Sequence, residues 1–238
     1  MKRLMTVLAA VLFTTGMAFA QSNQATINQI GDDHVATVQQ DNGIGNQATV
    51  DQEAVDQIFS TDPAEDNYAF VQQINGNYNR VDLDQGGNGD YADVRQNGYR
   101  NEADMMQKGP NDTDHYATLV QTGNYNTVDM FQDHNDNATF TAVQTGNNND
   151  ILSNQNGGTS FSTLLMDFIQ TGNRNSIDAR QNQGAATALI YQLNSDDNSA
   201  ITRQTGGGHW LRVDQYSDNN TANITQTGTN NTSTVYQN

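Results

Sequence analysis

A glutamine returns along this chain at Gln29, Gln40, Gln52, Gln73, Gln85, Gln96, Gln107, Gln121, Gln132, Gln144, Gln155, Gln170, Gln181, Gln192, Gln204, Gln215, Gln226 and Gln237. The seventeen steps between these eighteen are ten of 11 residues, four of 12 and one each of 14, 15 and 21. A period this regular means one small structural unit stacked on itself. The composition needs such an explanation, because 32 Asn and 25 Gln stand in a 238-residue chain that is only 34% hydrophobic. Large apolar side chains are too scarce to close an ordinary core. Whatever folds this chain must therefore use its amides.

Numbering back from each glutamine reveals the unit. Four residues before it the side chain is apolar in 17 of 18 units, Ser233 being the exception, and two before it in 16 of 18. Six before it stands Asn in 11 of 18: Asn23, Asn46, Asn67, Asn79, Asn101, Asn126, Asn149, Asn175, Asn198, Asn220 and Asn231. The position three before is polar in 14. This is period 2, the mark of a half-buried strand. Two residues after the glutamine, 10 of the 17 continuing units have Gly and three have Asn (Asn42, Asn75, Asn194). Those residues tolerate positive φ, so each strand should end in a tight turn.

Eleven or twelve residues cannot hold a strand, a crossover and an adjacent parallel partner, but two units make one strand-turn-strand layer. The expected fold is all-β: a cross-β, amyloid-like β-solenoid of about nine two-strand layers forming two facing parallel sheets, about 43 Å tall. The Asn and Gln columns are expected to form amide ladders, each side chain bonding its equivalent in the neighbouring layers. A buried amide without a partner costs about 1–3 kcal/mol, so the ladder demands strict register.

The irregular parts carry the remaining information. The step of 21 marks an acidic inserted loop at about 53–66, containing Pro63, and the steps of 14 and 15 put extra turn residues near Pro110–Asp114 and Gly158–Ser162. Both prolines thus avoid the ladder strands, as a ladder requires. Alternate units share a sheet, so Val120, Val143, Ile169 and Tyr191 should line up on one outer face as a candidate lateral contact. His34, His115 and His209 replace the Asn six before the glutamine and are expected to substitute for its amide rather than share a metal. His134 falls in a turn.

Residues 1–20 read as a signal peptide: Lys2 and Arg3, an apolar run, then Ala18-Phe19-Ala20 as the cleavage site. The run is short for a membrane-spanning helix. Removing Lys2 and Arg3 takes the 10 basic residues to 8 against 27 acidic, and the charge from −17 to −19. A polyanion partner such as nucleic acid is disfavoured. With no cysteine, disulfides and Cys-ligated metal sites are excluded.

The unit Asn-x-Ala-x-φ-x-Gln-x-Gly-x-x-Asn, seen at Asn23–His34, Asn126–Asn137 and Asn220–Asn231, resembles the curlin repeat of bacterial curli subunits. Gln121-Thr122-Gly123-Asn124-Tyr125-Asn126 and Gln170-Thr171-Gly172-Asn173-Arg174-Asn175 are similar to that family's turn. The resemblance covers residues 23–237. It implies a secreted functional amyloid of a Gram-negative type bacterium, a structural subunit exported through an outer-membrane pore. Such subunits self-associate into cell-surface fibres for adhesion and biofilm, with a nucleator or sister curlin subunit and host or matrix surfaces as further partners. The chain differs in lacking a Gly-rich segment between Gln21 and the first repeat.

The expected mode of assembly follows from the ends. The first unit begins within three residues of Gln21 and the last closes one residue before Asn238, with no helical or charged cap, so both strand edges should pair with further copies head to tail. No cofactor is called for, and no catalytic constellation stands out: there is no phosphate-binding glycine loop, His-x-x-x-His pair or nucleophile elbow. The acid-rich turns Asp32-Asp33, Asp112-Thr113-Asp114 and Asp133-His134-Asn135-Asp136 read as solvated, since the glycine-aspartate nonapeptide of calcium β-rolls is missing. The alternative reading is a monomeric secreted β-solenoid binding module, an adhesin, glycan reader or ice-binding protein. Ice binding would want a regular Thr-x-Thr column, and the Thr column here alternates with Asp.

Overall fold

The computed structural model of this protein describes residues 22–53, 66–109, 114–133, 137–157 and 163–238, and the backbone of 9–11. All of its regular structure is strand. A short β1 (Ala9–Val11) precedes β2 (Gln24–Ile30), β3 (Val35–Asp41), β4 (Gln47–Glu53), β5 (Tyr68–Ile74), β6 (Arg80–Gln85) and β7 (Tyr91–Tyr99). There follow β8 (Glu102–Lys108), β9 (Tyr116–Asn124), β10 (Thr127–Asp133), β11 (Thr139–Asn147), β12 (Asp150–Asn156) and β13 (Leu164–Asn173). The last are β14 (Ser176–Asn182), β15 (Ala186–Gln192), β16 (Ser199–Gly207), β17 (His209–Gln215), β18 (Thr221–Thr229) and β19 (Thr232–Gln237).

Strands alternate between two parallel sheets. The even sheet runs from β2 to β18 and the odd sheet from β3 to β19, with β1 added at the edge of β3. Strands β2 to β19 thus make nine two-strand layers, a β-solenoid. Register follows the glutamine throughout: Gln52 lies opposite Gln29 and Gln85, and Gln144 opposite Gln121 and Gln170. The insertion before β5 leaves that register untouched, because Val35 still pairs with Tyr68 and Gln40 with Gln73. Most of that expected acidic loop (54–65) lies outside the described residues, as do the leader apart from the backbone of β1, His134, and most of the two smaller insertions.

The core is the interior column of each strand. Ala36, Ala69, Ala92 and Ala117 on the odd sheet meet Ala48, Val81 and Ala103 on the even one, all buried. Larger side chains fill the middle layers, where Phe140 and Phe168 pack edge to face with centroids 5.9 Å apart. Ser153 takes an apolar position in this core and its hydroxyl donates to Met166 Sδ at 2.9 Å.

Glycine has a specific task at the corner that leads from an odd strand to an even one. A Cβ built on Gly98 (φ 127°) would stand 1.8 Å from the carbonyl oxygen of Gly123, one layer on. Asn42, Asn75 and Asn194 refine the sequence reading. They do take positive φ, 52°, 50° and 53°, but they do not replace the glycine. Each is one extra left-handed residue, followed by Gly43, Gly76 or Ser195 in the glycine's place, which is why those units are 12 residues long.

Candidate functional site

The ladder glutamines form two unbroken hydrogen-bonded columns. On the odd sheet each Nε2 donates to the Oε1 of the next layer at 2.7–2.9 Å, from Gln40 through Gln73, Gln96, Gln121, Gln144, Gln170, Gln192 and Gln215 to Gln237. On the even sheet the same chain runs Gln29, Gln52, Gln85, Gln107, Gln132, Gln155, Gln181, Gln204, Gln226. The second hydrogen of Nε2 crosses to the facing sheet: Gln96 to Arg80 O, Gln121 to Glu102 O, Gln204 to Thr187 O. One amide therefore ties its layer to the next and the two sheets to each other.

The asparagines behave differently from the expected side-chain ladder. Asn23, Asn46, Asn79, Asn101, Asn126, Asn149, Asn175, Asn198 and Asn220 fill one corner. There each Oδ1 accepts the backbone N–H of the next asparagine at 2.8–3.1 Å. Most of their Nδ2 groups donate to corner carbonyls, as Asn79 does to Gly98 O and Asn149 to Gly172 O, both at 2.9 Å, while Asn126 Nδ2 reaches both Gly146 O and Asn101 Oδ1. The shorter asparagine side chain favours the turn carbonyl, a backbone acceptor that needs a donor, over its own equivalent one layer away. A further ladder one turn outward was not visible in the sequence: Asn124 Nδ2 to Asn147 Oδ1, Asn147 to Asn173 and Asn173 to Asp196.

The opposite corner carries His34, Asn67, Asp90, His115, Ala138, Leu164, Ala186, His209 and Asn231 in successive layers. His34 and His209 each accept the next layer's backbone N–H on Nδ1 at 3.3 Å, the role an amide oxygen plays elsewhere. Burial lowers the pKa of His34, consistent with a neutral acceptor. His115 instead faces Asp90, a buried pair the sequence pattern did not announce. Burial raises the Asp90 carboxyl more than the contact with His115 lowers it. Ala138, Leu164 and Ala186 then form a small apolar cluster of their own.

The register stacks Val120, Val143, Ile169 and Tyr191 in one column on the outer face of the odd sheet. All four are half-buried. At the odd-to-even corner, Tyr78, Tyr99 and Tyr125 gather around Arg100. Among the described residues, no three His, Asp or Glu side chains lie close enough to hold a metal ion, and no helix is long and apolar enough to cross a membrane.

The two ends of the stack complement each other. All ladder bonds point the same way, so the first layer presents acceptors and the last presents donors. Gln29 Oε1 is buried and has no partner among the described residues. At the far end Gln237 Nε2, among the described residues, donates only across, to Thr221 O, and Gln226 Nε2 turns its spare hydrogen to Ser233 Oγ. Ser233, the one polar residue in its column, thus holds the last even amide in place. The inner face of the first and last layers is only partly covered, with Ile27, Ile224 and Val235 packed against the core from its edge.

Residues 195–228 match the family model of the curlin associated repeat. No curated protein matches the chain.

Proposed function

We propose, from the premise that this chain is a curlin-repeat protein, that it is a secreted structural subunit which adds head to tail into curli-like amyloid fibres. A curlin-repeat β-solenoid fits a curli-type subunit, and that family is structural rather than enzymatic. One observation carries the head-to-tail step: the unpartnered, buried Gln29 Oε1 at the first layer. A second copy laid on that layer brings Gln226 and Gln237 of its last layer over Gln29 and Gln40, donor over acceptor, and continues both ladders without a break. The backbone polar groups along β2 pair with β18 of that copy in the same way. Heterologous contacts of this kind do not close on themselves and give filaments.

In this reading residues 1–20 are a signal peptide removed at export, and removal matters for assembly. β1, which lies in that segment, pairs with the edge of β3 through Ala9↔Ala36 to Val11↔Val38. That is the edge the incoming copy's β19 takes. The outer-membrane pore, a nucleator or sister subunit, and adhesion and biofilm as the fibre's purpose belong to the same proposal.

The test uses residues 21–238 released from denaturant at neutral pH, followed by thioflavin fluorescence and then by fibre diffraction. A lag, growth and reflections at about 4.7 and 10 Å are expected. Gln29→Leu and Gln237→Leu should slow elongation while leaving the β-rich circular dichroism unchanged. A chain that stays monomeric and β-rich would overturn the fibre reading in favour of a binding module.

A further inference from the structure

At the odd-to-even corner one backbone position is left-handed in every layer that follows an odd strand: Gly45, Tyr78, Arg100, Tyr125, Asn148, Arg174, Asp197 and Asn219, with φ between 53° and 70°. Glycine, asparagine and aspartate are the ordinary occupants of such a position, and a bulky side chain there is an outlier. The corner closes equally well on Gly45, Asn148 and Asn219. Three bulky left-handed residues in a row, Tyr78, Arg100 and Tyr125, are therefore not required by the turn, and strain retained without a folding need points to use.

What the three build, with Tyr99, is an aromatic cage around one guanidinium. Arg100 Cζ lies 5.1 Å from the Tyr99 ring centroid, 5.8 Å from that of Tyr78 and 5.9 Å from that of Tyr125. The rings meet edge to face, Tyr78 with Tyr99 and Tyr99 with Tyr125. Gly45 leaves the space in which the Tyr78 ring lies, since a Cβ there would stand 2.7 Å from it. Arg80, Arg95, Arg174, Arg180, Arg203 and Arg212 all pair with Asp or Glu, whereas Arg100 has no carboxylate partner among the described residues. In a chain of formal charge −17 that is a singular arrangement. Beside it opens a cavity of about 410 Å³ lined by Tyr78, Arg100, Gln47 and the Arg80–Glu102 ion pair, among others.

We infer that this corner binds a carboxylate-bearing sugar unit of an acidic polysaccharide. The Arg100 fork offers paired N–H donors to the carboxylate. The exposed Tyr78 and Tyr125 offer apolar ring surface to the C–H face of a sugar ring, and hydroxyls to its oxygens. Arg80 is shared between Glu102 and Asp82, but among the side chains that line the cavity the two guanidiniums of Arg80 and Arg100 outnumber the one carboxylate of Glu102, which leaves its wall net positive. A cavity of a few hundred Å³ suits one or two sugar units. The site goes beyond fibre formation and does not depend on it, although repetition along a fibre would add avidity for a polymer.

The test is calorimetric titration of the full chain, before polymerisation, with a uronic-acid trisaccharide. Its carboxyl-reduced neutral analogue and a Glu-rich peptide are titrated in parallel. The uronide is expected to saturate and to bind at least about tenfold tighter than either comparator. Arg100→Asn should abolish that preference, and Tyr125→Asn should weaken both sugars. Both variants place at the corner a residue the same column already holds at Asn148 and Asn219, so folding is preserved. Absence of saturable uronide binding, equal binding by the Glu-rich peptide, or an Arg100→Asn chain that binds like the parent would each overturn the proposal.

Discussion

His115 Nδ1 lies 2.8 Å from Asp90 Oδ1, one layer away, and neither side chain reaches solvent. The carboxylate also accepts the N–H of Gly87 and that of His115, so it is well satisfied, whereas His115 Nε2 is buried without a partner among the described residues. Beyond it the column turns apolar at Ala138. Removing one member of a buried pair strands the other at a cost of about 3–5 kcal/mol. Asp90→Ala should therefore lower the denaturant midpoint strongly. His115→Asn should stay within about 1 kcal/mol of the parent, because an amide is the column's usual occupant and the stranded nitrogen disappears. Equal midpoints for Asp90→Ala and the parent would show that the pair contributes nothing to the stack.

The contrast between these corners explains what the sequence could reveal. Gln29 to Gln237 were legible because a ladder fails if any layer drops its amide, so the same letter returns at a fixed offset from each strand. Asp90 and His115 were not, because this corner tolerates whatever fills one buried site per layer, and the letters change from His to Asn to Asp to Ala. The Tyr78, Arg100 and Tyr125 column was hidden for another reason. The extra left-handed Asn75 puts Tyr78 five residues after its glutamine, while Arg100 and Tyr125 fall four after theirs. A one-residue slip erases a column from the sequence without disturbing it in space. The bonding of Asn46 or Asn149 to backbone rather than to its own kind depends on side-chain length against layer geometry, which no spacing expresses.

Two glycines should respond oppositely to alanine. At Gly98 the new methyl would overlap the Gly123 carbonyl and hold an L residue at φ 127°. Overpacking and the disfavoured backbone together should cost about 2–5 kcal/mol. At Gly207 the nearest atom is Gly184 Cα at 3.9 Å and the backbone is ordinary, so alanine should be neutral or stabilise by about 0.4–1 kcal/mol through the unfolded chain. Thermal or denaturant unfolding of both variants checks this, and equal losses at the two positions would refute the stacked-carbonyl account of the corner.

Stacking places like charges one layer apart. Asp82, Asp104 and Asp129 occupy one outer column of the even sheet, and Asp51 faces Asp84 in the next. Burial first, then these neighbouring carboxylates, raise Asp104 and Asp51 above the ordinary aspartate value. A carboxyl whose folded pKa exceeds its unfolded one favours the folded stack fully below the unfolded value of about 4. That contribution is lost as pH rises through the raised folded value. Stability and assembly rate should both increase as pH falls from neutral toward 4, with the −19 charge of residues 21–238 acting as a brake near pH 7. Thioflavin lag times across this range test it, and the double variant Asp51→Asn, Asp104→Asn should flatten the dependence. A lag that ignores pH would remove the charge-brake account.

The outer column of Val120, Val143 and Ile169 is bounded at both ends by polar contacts. Arg95 lies below it, opposite Val120, and is paired with Asp93. Tyr191 lies above Ile169, its hydroxyl donating to Asp167 at 2.9 Å and its ring 5.3 Å beneath Arg212. Burial, followed by that bond to Asp167, pushes the Tyr191 hydroxyl up to about 12, so it stays a donor at any working pH. Three aliphatic side chains in register on a polar face make a short dry strip suited to a second fibre laid alongside. Val143→Lys places a charge in the middle of the strip while leaving every ladder and corner intact. At a half-exposed strand position it should change stability by no more than about 0.5 kcal/mol. The expected outcome is an unchanged elongation rate with fibres that no longer bundle, read as narrower widths by electron microscopy. Fibres of unaltered width would exclude this strip as the lateral contact.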